Sequence, residues 1–174
     1  MTKRSRIFGL VALAFLLAVG APVAFGGEYA DPPIPRAMPP VQIALWDAVL
    51  AGDVAGALAA IAAGADVNGL DIRLQTAGPN GRRPLNYAAL RNDPAMIHAL
   101  LRAGALINGT NLSGFTPLHH AGEAGATDAA TVLIAHGASL TLKNRRLQTP
   151  LETAEAFRHP ETAAVIRDAM RHQN

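Results

Sequence analysis

Histidine is the side chain here best suited to metal ligation or proton transfer near neutral pH, and the sequence carries six. His119 and His120 are adjacent, whereas His98, His136, His159 and His172 are dispersed. Neighbouring residues on a helix point about 100° apart, so His119 and His120 cannot share one small ion unaided. None of the dispersed histidines has a partner at i+4, the spacing that puts two ligands on one helical face. A metal or haem carrier built on His119, His120 and His136 therefore requires those rings to converge through the fold. Without convergence, the dispersed histidines read as surface or capping residues.

Nucleophilic chemistry has less to draw on. Cysteine is absent, which excludes disulfides, iron–sulfur clusters and thiolate zinc sites. Ser113 and Ser139 lie in predicted loops, and neither sits in a G-x-S-x-G elbow. No phosphate-binding glycine motif occurs. Glu152 and Glu155, three apart, read as a solvated helical face. The expectation is a non-enzymatic protein with no catalytic residue, metal ligand or cofactor.

The elements that must position these residues are helical. The 174 residues are 50% hydrophobic, 16% charged and only 5% aromatic, which implies an ordered core of Ala, Leu, Ile and Val. Net charge is +2, but Lys3, Arg4 and Arg6 all precede the first acid, Glu28. Without those three, the 15 basic residues fall to 12 against 13 acidic ones, a balance of −1. That lacks the basic excess of a nucleic-acid-binding domain, so no nucleic-acid partner is expected.

Those three basic residues open a segment laid out as a secretory signal, residues 1–26. An apolar run from Ile7 to Val19 follows, then small residues around Ala24-Phe25-Gly26 suited to cleavage. The uncharged stretch Ile7–Gly27 is also long enough for an uncleaved inner-membrane anchor facing the periplasm. In both readings the remaining chain is delivered across the membrane, to a periplasmic or secreted location. Residues 27–40 form a linker, five of whose residues are proline.

Beyond residue 40 the chain repeats itself. Pro84-Leu85, Pro117-Leu118 and Pro150-Leu151 recur at steps of 33, as do Gly104-Ala105 and Gly137-Ala138. An earlier Gly64-Ala65 stands 40 residues before Gly104, so seven residues are inserted within Gly69–Pro79. In one copy Thr116 is placed to cap a helix with Pro117 at its first position. Leu118 and Ala121 face inward, and Gly125 ends the helix. A second helix from near Thr127 buries Val132, Leu133 and Ile134 and stops at Gly137. Asp53, Asp93 and His159 precede the other second helices, and Thr149-Pro150-Leu151-Glu152 is a capping box. Each two-helix unit cannot bury its own apolar face, so the units must stack.

Thr116-Pro117-Leu118-His119-His120-Ala121 resembles the T-P-L-H-x-A signature of the ankyrin-repeat family, and the 33-residue period agrees. The resemblance implies an all-α solenoid of about four repeats with short hairpin loops. The repeats fall near 41–68, 80–110, 111–143 and 144–171 of a domain spanning 41–174. It also implies a structural hydrogen-bonding role for His119. The departures have roles of their own. Ala44-Leu45-Trp46 replaces P-L-H in repeat one, with Trp46 expected to cover the open end. Asn92 replaces a helix-ending glycine, and Arg158 stands at the same position in repeat four. Glu161, Arg167, Asp168 and Arg171 provide a polar outer face for the last helix.

The same resemblance implies protein binding through the hairpin tips and the exposed side of the first helices, by a monomer. Position by position, that surface is Asn80, Arg82, Leu90 and Arg91; then Leu112, Ser113, Phe115 and Glu123; then Lys143, Arg145, Arg146, Gln148 and Phe157. Exposed aromatics beside arginines are typical anchors, so Phe115 and Phe157 carry most weight. Against this, Phe115 can tuck beneath the adjacent hairpin and Phe157 can pack on Leu151. In the insertion, Ile72 and Leu74 alternate with polar residues, as in a small hairpin arm; an inert flexible loop is the alternative. The expected function is a scaffold, inhibitor or accessory factor for another envelope protein. Resemblance to exported bacterial members implies a narrower version, an accessory factor for an oxidative-defence enzyme such as catalase.

Overall fold

The structure, a computed structural model, describes residues 38–172. The expected signal at 1–26 and all but the end of the linker lie outside the described residues. Four helix pairs follow one another: α1 (Pro40–Ala51) with α2 (Val54–Ala62), α4 (Pro84–Leu90) with α5 (Pro94–Arg102), α6 (Pro117–Ala124) with α7 (Thr127–Ala135), and α8 (Pro150–Ala156) with α9 (Pro160–His172). A single helical turn, α3 (Leu74–Ala77), lies in the insertion. The described residues form an all-α repeat fold, as the 33-residue period predicts.

Local chemistry sets each boundary. Proline opens the first helix of every pair, where the missing N–H has no helical partner anyway. Asp53 and Asp93 cap the second helices, their carboxylates accepting from Gly56 N and Met96 N at 2.9 Å. The turn inside each pair needs one left-handed residue. Gly52 and Gly125 supply it freely, Asn92 (φ 53°) tolerates it, and Arg158 (φ 64°) adopts it at a cost of about 1–2 kcal/mol. His159 stands before α9 as expected, its carbonyl accepting from Ala163 N at 3.0 Å, and its ring bonds the Glu123 carbonyl of the preceding repeat at 3.1 Å.

First helices pack on first helices (α1–α4–α6–α8) and second on second (α2–α5–α7–α9), giving two layers with the core between them. Leu45, Val49, Leu85, Met96, Ile97, Leu100, Leu118, Leu133 and Ile166 fill that core. Val132 and Ile134 are only half-buried, because the outer layer is covered on one side alone. Buried Ala88, Ala121, Ala129 and Ala154 let the helices approach closely. At Gly122 the backbones of neighbouring first helices come close: an added Cβ would lie 2.9 Å from the Pro150 carbonyl of the next repeat.

Polar ladders run along the stack beside the core. Asn68 and Asn108 accept from Leu106 N and Ser139 N of the following repeat. Hairpin joins hairpin through the backbone, Leu112 N to Asn80 O at 2.9 Å and Arg145 N to Ser113 O at 3.0 Å.

The insertion forms neither the expected hairpin arm nor a free loop. One antiparallel bridge joins Asp71 to Arg82, and α3 follows. Asp71 is fully buried, its carboxylate accepting from Arg73 Nε (3.0 Å), Arg73 Nη2 (2.9 Å) and the Tyr87 hydroxyl (2.9 Å). Burial would raise its pKa, but the bonds from Arg73 and Tyr87 outweigh that and hold it below the usual value. Trp46 is a core residue, 2% exposed, and does not face an open end. Its indole N–H donates to Gly69 O, and the Arg73 guanidinium lies 5.2 Å from the ring centre.

Candidate partner-binding site

The stack brings the hairpins before α4, α6 and α8 side by side, and a cavity of about 170 Å³ opens where they meet the first helices. Asn80 and Arg82 line it from repeat two, Ser113, Phe115, His120 and Glu123 from repeat three, and Arg146 and Phe157 from repeat four. The backbone of the insertion closes one side at Gly78 and Pro79. Small-molecule pockets are usually about 300–1,000 Å³, so this one is sized for a single side chain.

Its polar groups are fixed by local structure. Asn111 Oδ1 accepts from Ser113 N and Phe115 N, both at 2.9 Å, which shapes the hairpin beneath the cavity. Asn144 Oδ1 does the same for Arg146 N and Gln148 N one repeat later. His120 follows the capped start of α6 and is 2% exposed. Its Nδ1 lies 2.9 Å from Glu123 Oε2, one helical turn on.

Burial pushes the His120 pKa down; the bond to Glu123 opposes this, and nearby Arg82 adds to it. The neutral ring therefore donates Nδ1–H to Glu123 and leaves Nε2 as an acceptor. That Nε2 is buried without a hydrogen-bond partner among the described residues, and so is the Arg82 Nε–H donor. The bond from His120 is the chief cause holding Glu123 below the usual carboxylate range. Ser113 shares the cavity, but His120 Nε2 makes no hydrogen bond to it, so the link between base and nucleophile is not made.

Seven of the thirteen residues expected on this surface line the cavity: Asn80, Arg82, Ser113, Phe115, Glu123, Arg146 and Phe157. Leu112, Lys143 and Arg145 are exposed on the hairpins outside it, and Arg91 is exposed at the end of α4 beside half-buried Leu90. Half-buried Gln148 gives its carbonyl to His119. Phe115 is not an exposed anchor: at 8% exposure it packs its ring 5.5 and 5.4 Å from those of His119 and His120. Phe157 stays open at 42% exposure.

His120 was missed as a cavity residue. Its sequence signal is Glu123 three positions on, the spacing that pairs side chains across one helical turn.

The histidines do not converge as a carrier needs. His119 is buried with both ring nitrogens engaged. Nδ1 lies 2.8 Å from the Thr116 hydroxyl and accepts from Thr116 N, so Nε2–H donates to Gln148 O at 2.9 Å. Burial pushes its pKa down, which fits this neutral tautomer. It ties repeat three to repeat four. His136 lies instead against His98, Nε2 to Nδ1 at 3.0 Å, both exposed on the outer helices. Among the described residues no three metal-ligating side chains meet.

Comparison with known proteins agrees with this architecture. The family described as Ankyrin repeats (3 copies) matches residues 45–144 and 85–169. The chain is 35% identical over 115 residues, 66% of its length, to the mouse B-cell lymphoma 3 protein homolog. It is 36% identical over 90 residues, 51% of its length, to human Ankyrin repeat domain-containing protein 13B. A fowlpox virus protein, Putative ankyrin repeat protein FPV115, is 32% identical over 83 residues, 48% of the chain. The matches cover 24%, 14% and 15% of those relatives respectively, so the chain spans only a minor part of their length.

Proposed function

The chain belongs to the ankyrin-repeat family, whose stacks are protein–protein interaction modules, and from that premise we propose that it grips one side chain of a partner protein in the cavity between repeats two, three and four. One observation carries the proposal: a side-chain-sized cavity between three repeats, walled by His120 and Glu123 and bordered by Arg82, Arg146 and the open Phe157 ring. Phe157 offers an apolar edge and Arg146 a second cation at the rim. A partner segment with an acidic or amide side chain matches this set, its oxygen meeting Arg82.

The protein acts outside the cytoplasmic membrane, as a scaffold, inhibitor or accessory factor for another envelope protein. The basic start and apolar run of residues 1–26 support that location. The family is generally non-enzymatic, which supports binding over turnover.

The test is site-specific photocrosslinking from position 80 in the intact chain, in cell-envelope preparations. A defined crosslinked protein, lost on Arg82→Ala or Phe157→Ala substitution, is the expected result. Crosslinking that is absent, or that is indifferent to both substitutions, overturns the proposal.

A further inference from the structure

The exposed face of the outer helices carries a second site, separate from the cavity. His98 lies midway along α5 and His136 at the end of α7, so the pair bridges repeats two and three from outside. Their nitrogens are 3.0 Å apart with ring centroids at 5.1 Å and planes 67° apart. Both rings are exposed, and each can turn without disturbing the core.

We propose that His98 Nδ1 and His136 Nε2 form a two-imidazole site for a divalent transition-metal ion of the Cu²⁺ or Ni²⁺ type.

Geometry selects the class. With metal–nitrogen bonds of about 2.0–2.1 Å, cis ligands about 90° apart stand roughly 2.9 Å from each other, whereas tetrahedral ligands stand roughly 3.4 Å apart. The rings stand 3.0 Å apart across their mutual hydrogen bond, so modest rotations of two exposed side chains turn both nitrogens toward one ion at that cis spacing. Neutral imidazoles suit these borderline ions, and Cu²⁺ heads the affinity order for such ligands. In the metal-free protein one ring donates its N–H to the other. Binding requires the donating ring to take its other tautomer, its proton passing by way of solvent to the far ring nitrogen, so that both facing nitrogens offer lone pairs to the ion and water completes the coordination. The helices fix both ligands in advance, so the second imidazole binds at high effective concentration. Because the ligands come from different repeats, the ion staples α5 to α7.

Calorimetric titration of Cu²⁺ into the untagged full chain, paired with electron paramagnetic resonance, tests this site. One ion per chain and hyperfine coupling to two imidazole nitrogens are expected. His98→Ala and His136→Ala each weaken binding by at least about tenfold, while His172→Ala leaves it unchanged. Added Ni²⁺ raises the melting temperature of the unsubstituted protein and not that of His98→Ala. Affinity that survives both single substitutions, coupling to fewer than two imidazoles, or a melting temperature indifferent to Ni²⁺ overturns the site. Both positions are exposed, so the substitutions leave the fold intact, which circular dichroism verifies.

Discussion

Replacing Asp71 with Asn tests whether one buried carboxylate holds the insertion against the stack. The native side chain is fully buried and meets the Arg73 guanidinium at 2.9 and 3.0 Å, with the Arg73 backbone N–H at 3.0 Å and the Tyr87 hydroxyl at 2.9 Å. Asparagine keeps the shape and an oxygen for Tyr87 but removes the charge opposite Arg73. Breaking a buried ion pair from one side costs about 3–5 kcal/mol. Arg73 is itself 22% exposed and keeps Asp47 as a partner, which lowers the expected loss to about 2–3 kcal/mol. For a domain of this size that is a fall of about 10 °C in melting temperature.

The sequence contains one tryptophan, and it sits where the change is felt. Trp46 donates to Gly69 O and lies under Arg73, so detachment of the insertion wets the indole and shifts its emission to longer wavelength. Asp47→Ala is the control. Asp47 is 57% exposed, and its loss costs less than about 1 kcal/mol. The pH dependence follows from the depressed Asp71 pKa. Its stabilisation is complete above the unfolded value near 3.8 and is lost as pH falls through the lower folded value, so Asp71→Asn flattens that acid limb. A variant that melts within about 1 °C of the parent with unchanged tryptophan emission would refute the reasoning.

Gly122→Ala brings a Cβ to 2.9 Å from Pro150 O and 3.2 Å from Ala154 N, so it should destabilise by about 1–3 kcal/mol in urea titration despite alanine's better helix propensity. Thr116→Ala removes the cap that accepts from His119 N and the hydroxyl 2.8 Å from His119 Nδ1, with an expected loss of about 1–2 kcal/mol in the same assay. His119 and His120 both have folded pKa values lowered by burial. Their contribution is present above about pH 6.5 and declines as pH drops below it, because the unfolded chain takes up protons more readily. Urea midpoints at pH 7.5 and 5.5 check this, and His119→Gln together with His120→Gln should narrow the gap between them.

Local, repeated signals made the architecture legible. Pro84, Pro117 and Pro150 at constant spacing, the caps at Asp53, Asp93 and Thr116, and the left-handed turn at Asn92 each depend on backbone chemistry within a few residues. Such signals need no knowledge of distant contacts. The candidate site was legible only in outline. Position within the repeat identified Arg82, Glu123 and Phe157, yet it also suggested an exposed Phe115, which the neighbouring imidazoles cover.

From sequence alone follow the helical units, their period and the need to stack, since an apolar face on every unit leaves no other way to exclude water. Packing between repeats decided the rest. It set His120 Nε2 beside a cavity with no partner, buried Asp71 against Tyr87 to fold the insertion down, and brought His98 to His136 across 38 positions of sequence. Each of these juxtapositions depends on the offset between neighbouring units. That offset arises from side-chain volumes meeting across an interface, which residue order along one strand of chain does not contain.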